Sequence, residues 1–166
     1  MKDTELKLVS ELMKNSRRSD RELARLIGVS QPTVSRMIKN LEKEGIIQEY
    51  TMIPDMNKLG IEMIAITLAA FEPPANPEER MRKCKEFVEK HPNLLFISSG
   101  RGTSTERAFI SAHKNYSDYA KFIKEFKAEI TEYQIADSFL ISYKCDKILR
   151  QLSFATLAGY LRKDRS

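Results

Sequence analysis

Apolar positions in the first 45 residues recur at helical spacing in three separate runs. Between Asp3 and Lys14, Leu6, Val9 and Met13 share one face, with Leu8 and Leu12 beside them, which predicts a helix. Asn15 to Arg18 is a polar break. Ser19, followed three residues later by Glu22, forms a capping-box pattern, and Leu23, Leu26 and Ile27 supply the apolar side of a second helix. Gly28 ends it, because glycine accepts left-handed backbone at little cost. Ser30 caps a third helix, with Pro32 in its first turn, where a missing N–H matters least. The stripe Val34, Met37, Ile38 and Leu41 faces inward. At about 100° per residue, Arg36, Lys39 and Lys43 point the other way, flanked by Ser35 on one side and by Thr33 and Asn40 on the other. Gly45 stops this helix.

After Gly45 the rhythm changes. The β-branched and aromatic run from Ile46 to Ile53 predicts a short hairpin or strand in the position of a wing. Pro54 to Gly60 is turn-rich and reads as a linker. Beyond it, Ile61 to Phe71 predicts a strand, Glu78 to Lys90 a helix, Leu94 to Ser99 and Arg107 to His113 two strands, Tyr116 to Glu129 a helix and Gln134 to Tyr143 a last strand. Met81, Cys84, Phe87 and Val88 are expected inward on the first of these helices, and Tyr119, Phe122, Ile123 and Phe126 on the second. Strand, helix, strand, strand, helix, strand is the split βαβ order. The expected fold is therefore α+β: a winged helix-turn-helix followed by a ferredoxin-like antiparallel sheet with both helices on one face. The expected segments are 1–53 for the first domain, 54–60 for the linker, 61–145 for the second domain and 146–166 for a C-terminal extension.

A sheet with one face in water alternates apolar and polar residues. Ile61 to Phe71 is apolar nearly throughout, and Phe139, Leu140 and Ile141 are consecutive. The second face of the sheet is therefore expected to be covered, by another copy of the chain or by its own tail, Asp146 to Leu161. The tail itself fits a helix or a strand with a turn.

Composition narrows the function. The 166 residues, 42% hydrophobic and 31% charged, suit one domain or two small ones. The longest apolar run, Met63 to Phe71, is too short to span a bilayer, and the amino end has no apolar signal core, so a cytoplasmic protein is expected. The two cysteines, Cys84 and Cys145, have neither CxxC spacing nor a histidine at ligand distance, so neither a metal site nor a cofactor is expected. Net charge is +5 overall. Asn15 to Lys39 holds Arg17, Arg18, Arg21, Arg25, Arg36 and Lys39 against Asp20 and Glu22, six minus two, or +4 in that stretch. Local excess beside a candidate recognition helix is the electrostatic footprint of phosphate contact.

Residues in the N-terminal half of a recognition helix reach deepest into the major groove. Here they are Gln31, Pro32, Thr33, Ser35 and Arg36. Arg36 has the geometry to bond a guanine twice, Gln31 to pair with an adenine, and the Thr33 methyl to touch a thymine. Lys39, Arg17, Arg18 and Arg21 are expected on phosphates.

The stretch LVSELMKNSRRSDRELARLIGVSQPTVSRMIKNLEKEGIIQEYT, and the element order after it, resemble the Lrp/AsnC family of transcription regulators, also called the feast/famine family. The resemblance reaches to about Tyr143. It implies a cytoplasmic protein that binds double-stranded DNA, forms homodimers or higher homo-oligomers, and responds to an amino acid as small-molecule effector. It also implies that the loop between the central strands is the effector loop, here Gly100, Arg101, Gly102 and Thr103. In the family a glycine followed by acidic residues usually occupies that loop. Here Arg101 to Thr105 contains no aspartate. The second half is thus open to three readings: an amino-acid site, a site for a different ligand, and ligand-independent assembly.

Two other classes stand against a DNA-binding regulator. An enzyme on a ferredoxin-like fold is disfavoured, because His91 and His113 sit at element ends with no convergent catalytic set. An RNA-binding module would present strand aromatics, Phe96 and Phe109, to stacked bases.

Overall fold

The computed structural model describes residues 1–71, 76–101, 105–131 and 133–163. Its elements in chain order are α1 (Asp3–Lys14), α2 (Asp20–Ile27), α3 (Gln31–Lys43), a 3-10 turn (Asn57–Leu59), β1 (Met63–Phe71), α4 (Pro77–Lys90), β2 (Leu94–Ser99), β3 (Arg107–His113), α5 (Tyr116–Glu129), β4 (Tyr133–Ser142) and α6 (Leu157–Lys163). Two compact units result, one of Met1–Ile53 with Arg150–Ser166, the other of Pro54–Leu149.

In the first unit Leu8, Leu12, Leu23, Ala24, Val34 and Leu41 form the core, with Val9, Ile27, Met37 and Ile38 packed against it. Of the expected stripes, Leu8, Leu12 and Val9 of α1, Leu23 and Ile27 of α2 and all four residues of α3 meet there, whereas Leu6 is buried outside that cluster, Met13 is half-buried outside it, and Leu26 turns away. That residue is 51% exposed, since an eight-residue helix fills its side of this core with Leu23, Ala24 and Ile27. The tail takes the helical option. Its α6 lies in contact with α1, and Ala158 is fully buried. The chain from Arg150 onward belongs to the first unit.

The wing is absent: residues 46–53 form no strand. The amides of Ile46 and Ile47 both donate to Leu41 O, at 2.9 and 3.1 Å, and so finish the end of α3 rather than start a ladder. A strand propensity with no neighbouring strand to pair with does not make a strand.

The second unit has the expected split βαβ order. Its sheet runs β2-β3-β1-β4, and all three pairings are antiparallel. Residues 63, 65, 67 and 69 of β1 pair with 113, 111, 109 and 107 of β3, which puts one set of side chains under the helices. Ala69 and Phe109 pack there against Phe87 of α4, Phe122 and Phe126 of α5, and Tyr133. Met81, expected inward on α4, is 44% exposed; Phe87 and Cys84 carry that contact. On the opposite face, Phe96 and Phe139 are 51% and 66% exposed, with Ile66, Ile110 and Ile141 beside them in register. The stretch read as a linker carries the 3-10 turn, and Asn57 Nδ2 donates to Tyr143 O at 3.1 Å.

Candidate nucleic-acid interface

Each end of the helix pair is fixed by local chemistry. Ser19 Oγ accepts from the Glu22 amide at 3.3 Å while Glu22 Oε2 accepts from the Ser19 amide at 2.8 Å, closing the capping box before α2. The Ser19 amide and the Ser19 hydroxyl, the latter also at 2.8 Å, both donate to Glu22 Oε2 and hold the Glu22 carboxyl below the usual carboxylate range. Gly28 ends α2 at φ +75°, the left-handed conformation the turn requires. Ser30 Oγ then accepts from the Thr33 amide at 3.3 Å and opens α3.

With Val34 and Leu41 locked in the core, the opposite side of α3 is presented outward. Gln31, Pro32, Arg36 and Lys39 are exposed, and Thr33 and Ser35 are half-buried. Thr33 Oγ1 lies 2.8 Å from Ser30 Oγ, so its hydroxyl is engaged at the cap. Asn40 and Lys43 are exposed as well and extend the same surface towards the end of α3.

The flanking arginines divide. Arg17 and Arg21 are exposed. Arg18 instead turns back onto α1. Its Nη1 donates to Glu11 O at 3.0 Å and pairs with the Glu11 carboxylate. Lys14 joins the same carboxylate at 2.5 Å. The Lys14 hydrogen bond, aided by the charges of Lys14 and Arg18, holds the Glu11 carboxyl below the usual range against the opposing effect of burial. Arg18 thus clasps the break between α1 and α2. After α3, Tyr50 Oη donates to Glu42 Oε1 at 3.0 Å; partial burial and that carboxylate push the phenol up to about 12.

In the second unit, Gly100 and Arg101 are exposed, and the Gly100 amide donates to Glu106 O at 2.9 Å, closing the neck of the expected effector loop. Gly102 and Thr103 lie outside the described residues. Sequence reasoning passed over Arg80, Arg107 and Tyr133, which border the same neck. They lie far apart in the chain, and no spacing rule joins them. Among the described residues no group of histidine, cysteine and carboxylate side chains has metal-binding geometry. Phe109, a candidate for stacking nucleic-acid bases, is only 1% exposed, because it fills the space between the sheet and α5.

A family model for winged helix-turn-helix DNA-binding domains matches residues 1–48. The HTH-type transcriptional regulator LrpC of Bacillus subtilis is 35% identical over 92 residues, which cover 55% of this chain and 60% of LrpC. The HTH-type transcriptional regulator PH0061 of Pyrococcus horikoshii is 30% identical over 140 residues, 83% of this chain and 90% of the relative. Its crystal structure superposes with a TM-score of 0.72 at 25% identity, covering 92% of this chain and 97% of that one. The regulator NMB0573 of Neisseria meningitidis, solved as a complex with L-Met, shares the fold at a TM-score of 0.75 and 18% identity, covering 95% and 99% of the two chains. The chain belongs to the Lrp/AsnC family of DNA-binding, helix-turn-helix transcriptional regulators.

Proposed function

We propose that α3 enters the major groove of double-stranded DNA and reads sequence through Gln31, Pro32, Thr33, Ser35 and Arg36, while Lys39, Arg17 and Arg21 bind phosphates. The observation that carries this reading is the exposed side of α3. Its polar and cationic residues stand on a helix whose other side is immobilised in the core. Arg36 supplies the fork that matches a guanine edge, whereas Lys39 is a point charge suited to phosphate.

The protein works as a homodimer, and the surface that joins the copies is the open sheet face with Phe96 and Phe139. Two exposed phenylalanines beside isoleucines form a patch that a small soluble domain gains by covering, and a second copy supplies a matching face. The second unit binds a small-molecule effector at the neck of the β2–β3 loop. That the fold accommodates such a ligand is supported by the L-Met complex of the neisserial protein. The protein acts in the cytoplasm. Duplex DNA and reducing conditions are found there, and Cys84 and Cys145 are unlinked thiols. Among the described residues no helix is long and apolar enough to cross a membrane.

The test is anisotropy titration of a labelled duplex selected from random sequence by the full-length protein. Arg36→Ala is expected to bind the selected duplex more weakly and to discriminate less against base changes at one position. Undiminished affinity and selectivity in Arg36→Ala and Gln31→Ala alike would remove α3 from the groove.

A further inference from the structure

Glu42 interrupts the cationic side of α3. It follows Lys39 by three residues, and helix residues at that spacing are neighbours, ~60° apart around the axis. The other positions three or four away from Glu42 are Ile38, Gly45 and Ile46, so Lys39 is the one cation in its reach along the helix. Both side chains are exposed. The carboxylate is nevertheless held elsewhere. Tyr50 Oη donates to Glu42 Oε1 at 3.0 Å, and among the described residues no ion pair joins Glu42 to Lys39.

The chain after α3 is built to deliver that hydroxyl. Gly45 turns at φ +69°, the amides of Ile46 and Ile47 donate to Leu41 O, and Ile47 packs against the core of the first unit. These anchors bring Tyr50 to a carboxylate eight residues earlier in the chain. Partial burial, the Glu42 bond and the charges of Glu42 and Asp20 push the phenol up to about 12, so at neutral pH it keeps its proton and remains a donor. Lysine followed by glutamate is the weaker order for a helical ion pair, so a single hydroxyl competes with it effectively.

We infer that Tyr50 is a positioning residue for DNA binding: its hydroxyl occupies the Glu42 carboxylate and so leaves the Lys39 ammonium free to meet a phosphate. The inference rests on the reading that α3 lies on duplex DNA with Lys39 at the backbone. Without the hydroxyl, Glu42 turns to Lys39, and a phosphate has to displace it. That penalty falls on every sequence alike, because phosphates carry no base information.

Anisotropy titration of the full-length chain, on the selected duplex and on one of unrelated sequence over a salt series, tests it. Tyr50→Phe keeps the ring and is expected to weaken both duplexes about two- to fivefold at low salt. The loss shrinks as salt rises, since exposed charges are then screened. Tyr50→Phe/Glu42→Gln is expected to bind as Glu42→Gln alone does, a rescue that misfolding would not permit. In a Lys39→Ala background, Tyr50→Phe changes nothing further. The inference is overturned if Tyr50→Phe binds like the unaltered chain, or if its loss keeps the same size in either background. Lys39→Ala alone keeps the two readings apart. If it weakens both duplexes while Tyr50→Phe does not, the role of Tyr50 falls and the groove reading stands. If Lys39→Ala binds unaltered, the phosphate contact itself is lost, and the inference with it.

Discussion

Arg36 and Lys39 stand one turn apart on α3, yet they are expected to act differently. Arg36→Ala should lose ~1–3 kcal/mol at a selected site and relax one base preference, whereas Lys39→Ala should weaken all duplexes alike and reduce the salt slope by about one. A titration series over salt concentration separates the two. Glu11 is a third residue with a defined task. Its depressed carboxyl pKa means that the clasp with Lys14 and Arg18 stabilises the first unit above the unfolded value of 4.5 and is lost as pH falls through the folded value. Glu11→Gln should cost ~1–3 kcal/mol at neutral pH, since it leaves the mostly buried Arg18 without its anion, and chemical denaturation reads it directly. At Gly28 the backbone sits at φ +75° with open space around the Cβ position, so Gly28→Ala costs only the left-handed strain, about 1–2 kcal/mol.

At the scale of elements, α3 and the sheet show the same division of labour, with one side for packing and one left over. The leftover side of α3 is polar and cationic, which suits DNA; that of the sheet is apolar, which suits another sheet. If the proposed dimer forms through this face, Phe139→Asp is expected to leave a monomer in sedimentation experiments where the unaltered chain sediments as a dimer, while far-UV circular dichroism stays native, because Phe139 contributes little to the core beneath the helices. The joint between β3 and α5 carries a pH response. His113 is fully buried, with Nε2 2.8 Å from Ser111 Oγ and Nδ1 3.4 Å from Asp118 Oδ2. Burial lowers its pKa despite the Asp118 carboxylate, so the ring is neutral in the fold and takes up a proton more readily when unfolded. The unfolded chain therefore binds more protons as pH drops below 6.5, and stability falls with it. Thermal melts between pH 7.5 and about 5 should show this acid limb, and His113→Asn should flatten it.

For the molecule as a whole, the chain is not partitioned by sequence order. Its first 53 residues and its last 17 build one unit, and everything between builds the other. The amino-terminal helices thus depend on a segment more than a hundred residues away. Removing Arg150–Ser166 should destabilise the first unit by on the order of 1–3 kcal/mol, through loss of α6 and the buried Ala158 from the side of α1. Differential scanning calorimetry of the truncated chain checks this, and an unshifted melt would show that α6 contributes nothing.

Local rules were enough for much of this protein. Ser19, Gly28 and Ser30 mark the ends of α2 and α3 because caps and glycine turns are satisfied within four residues of chain. Periodicity revealed which sides of α3 and α5 turn inward, and the order of strands and helices named the α+β fold. What depends on neighbours distant in sequence was not legible. The run Ile46–Ile53 has strand-forming residues, but without a partner strand its first amides complete α3 instead. Arg18 carries the charge of a phosphate ligand, yet its nearest anion in space is Glu11. The tail's docking on α1, and the meeting of Arg80, Arg107 and Tyr133 around one cleft, arise from packing between elements, which no window along the chain encodes. Sequence alone determined what each segment could form, because capping and side-chain periodicity act over a single turn. Tertiary structure decided what each segment was for, because burial and charge pairing depend on which distant residues share the same space.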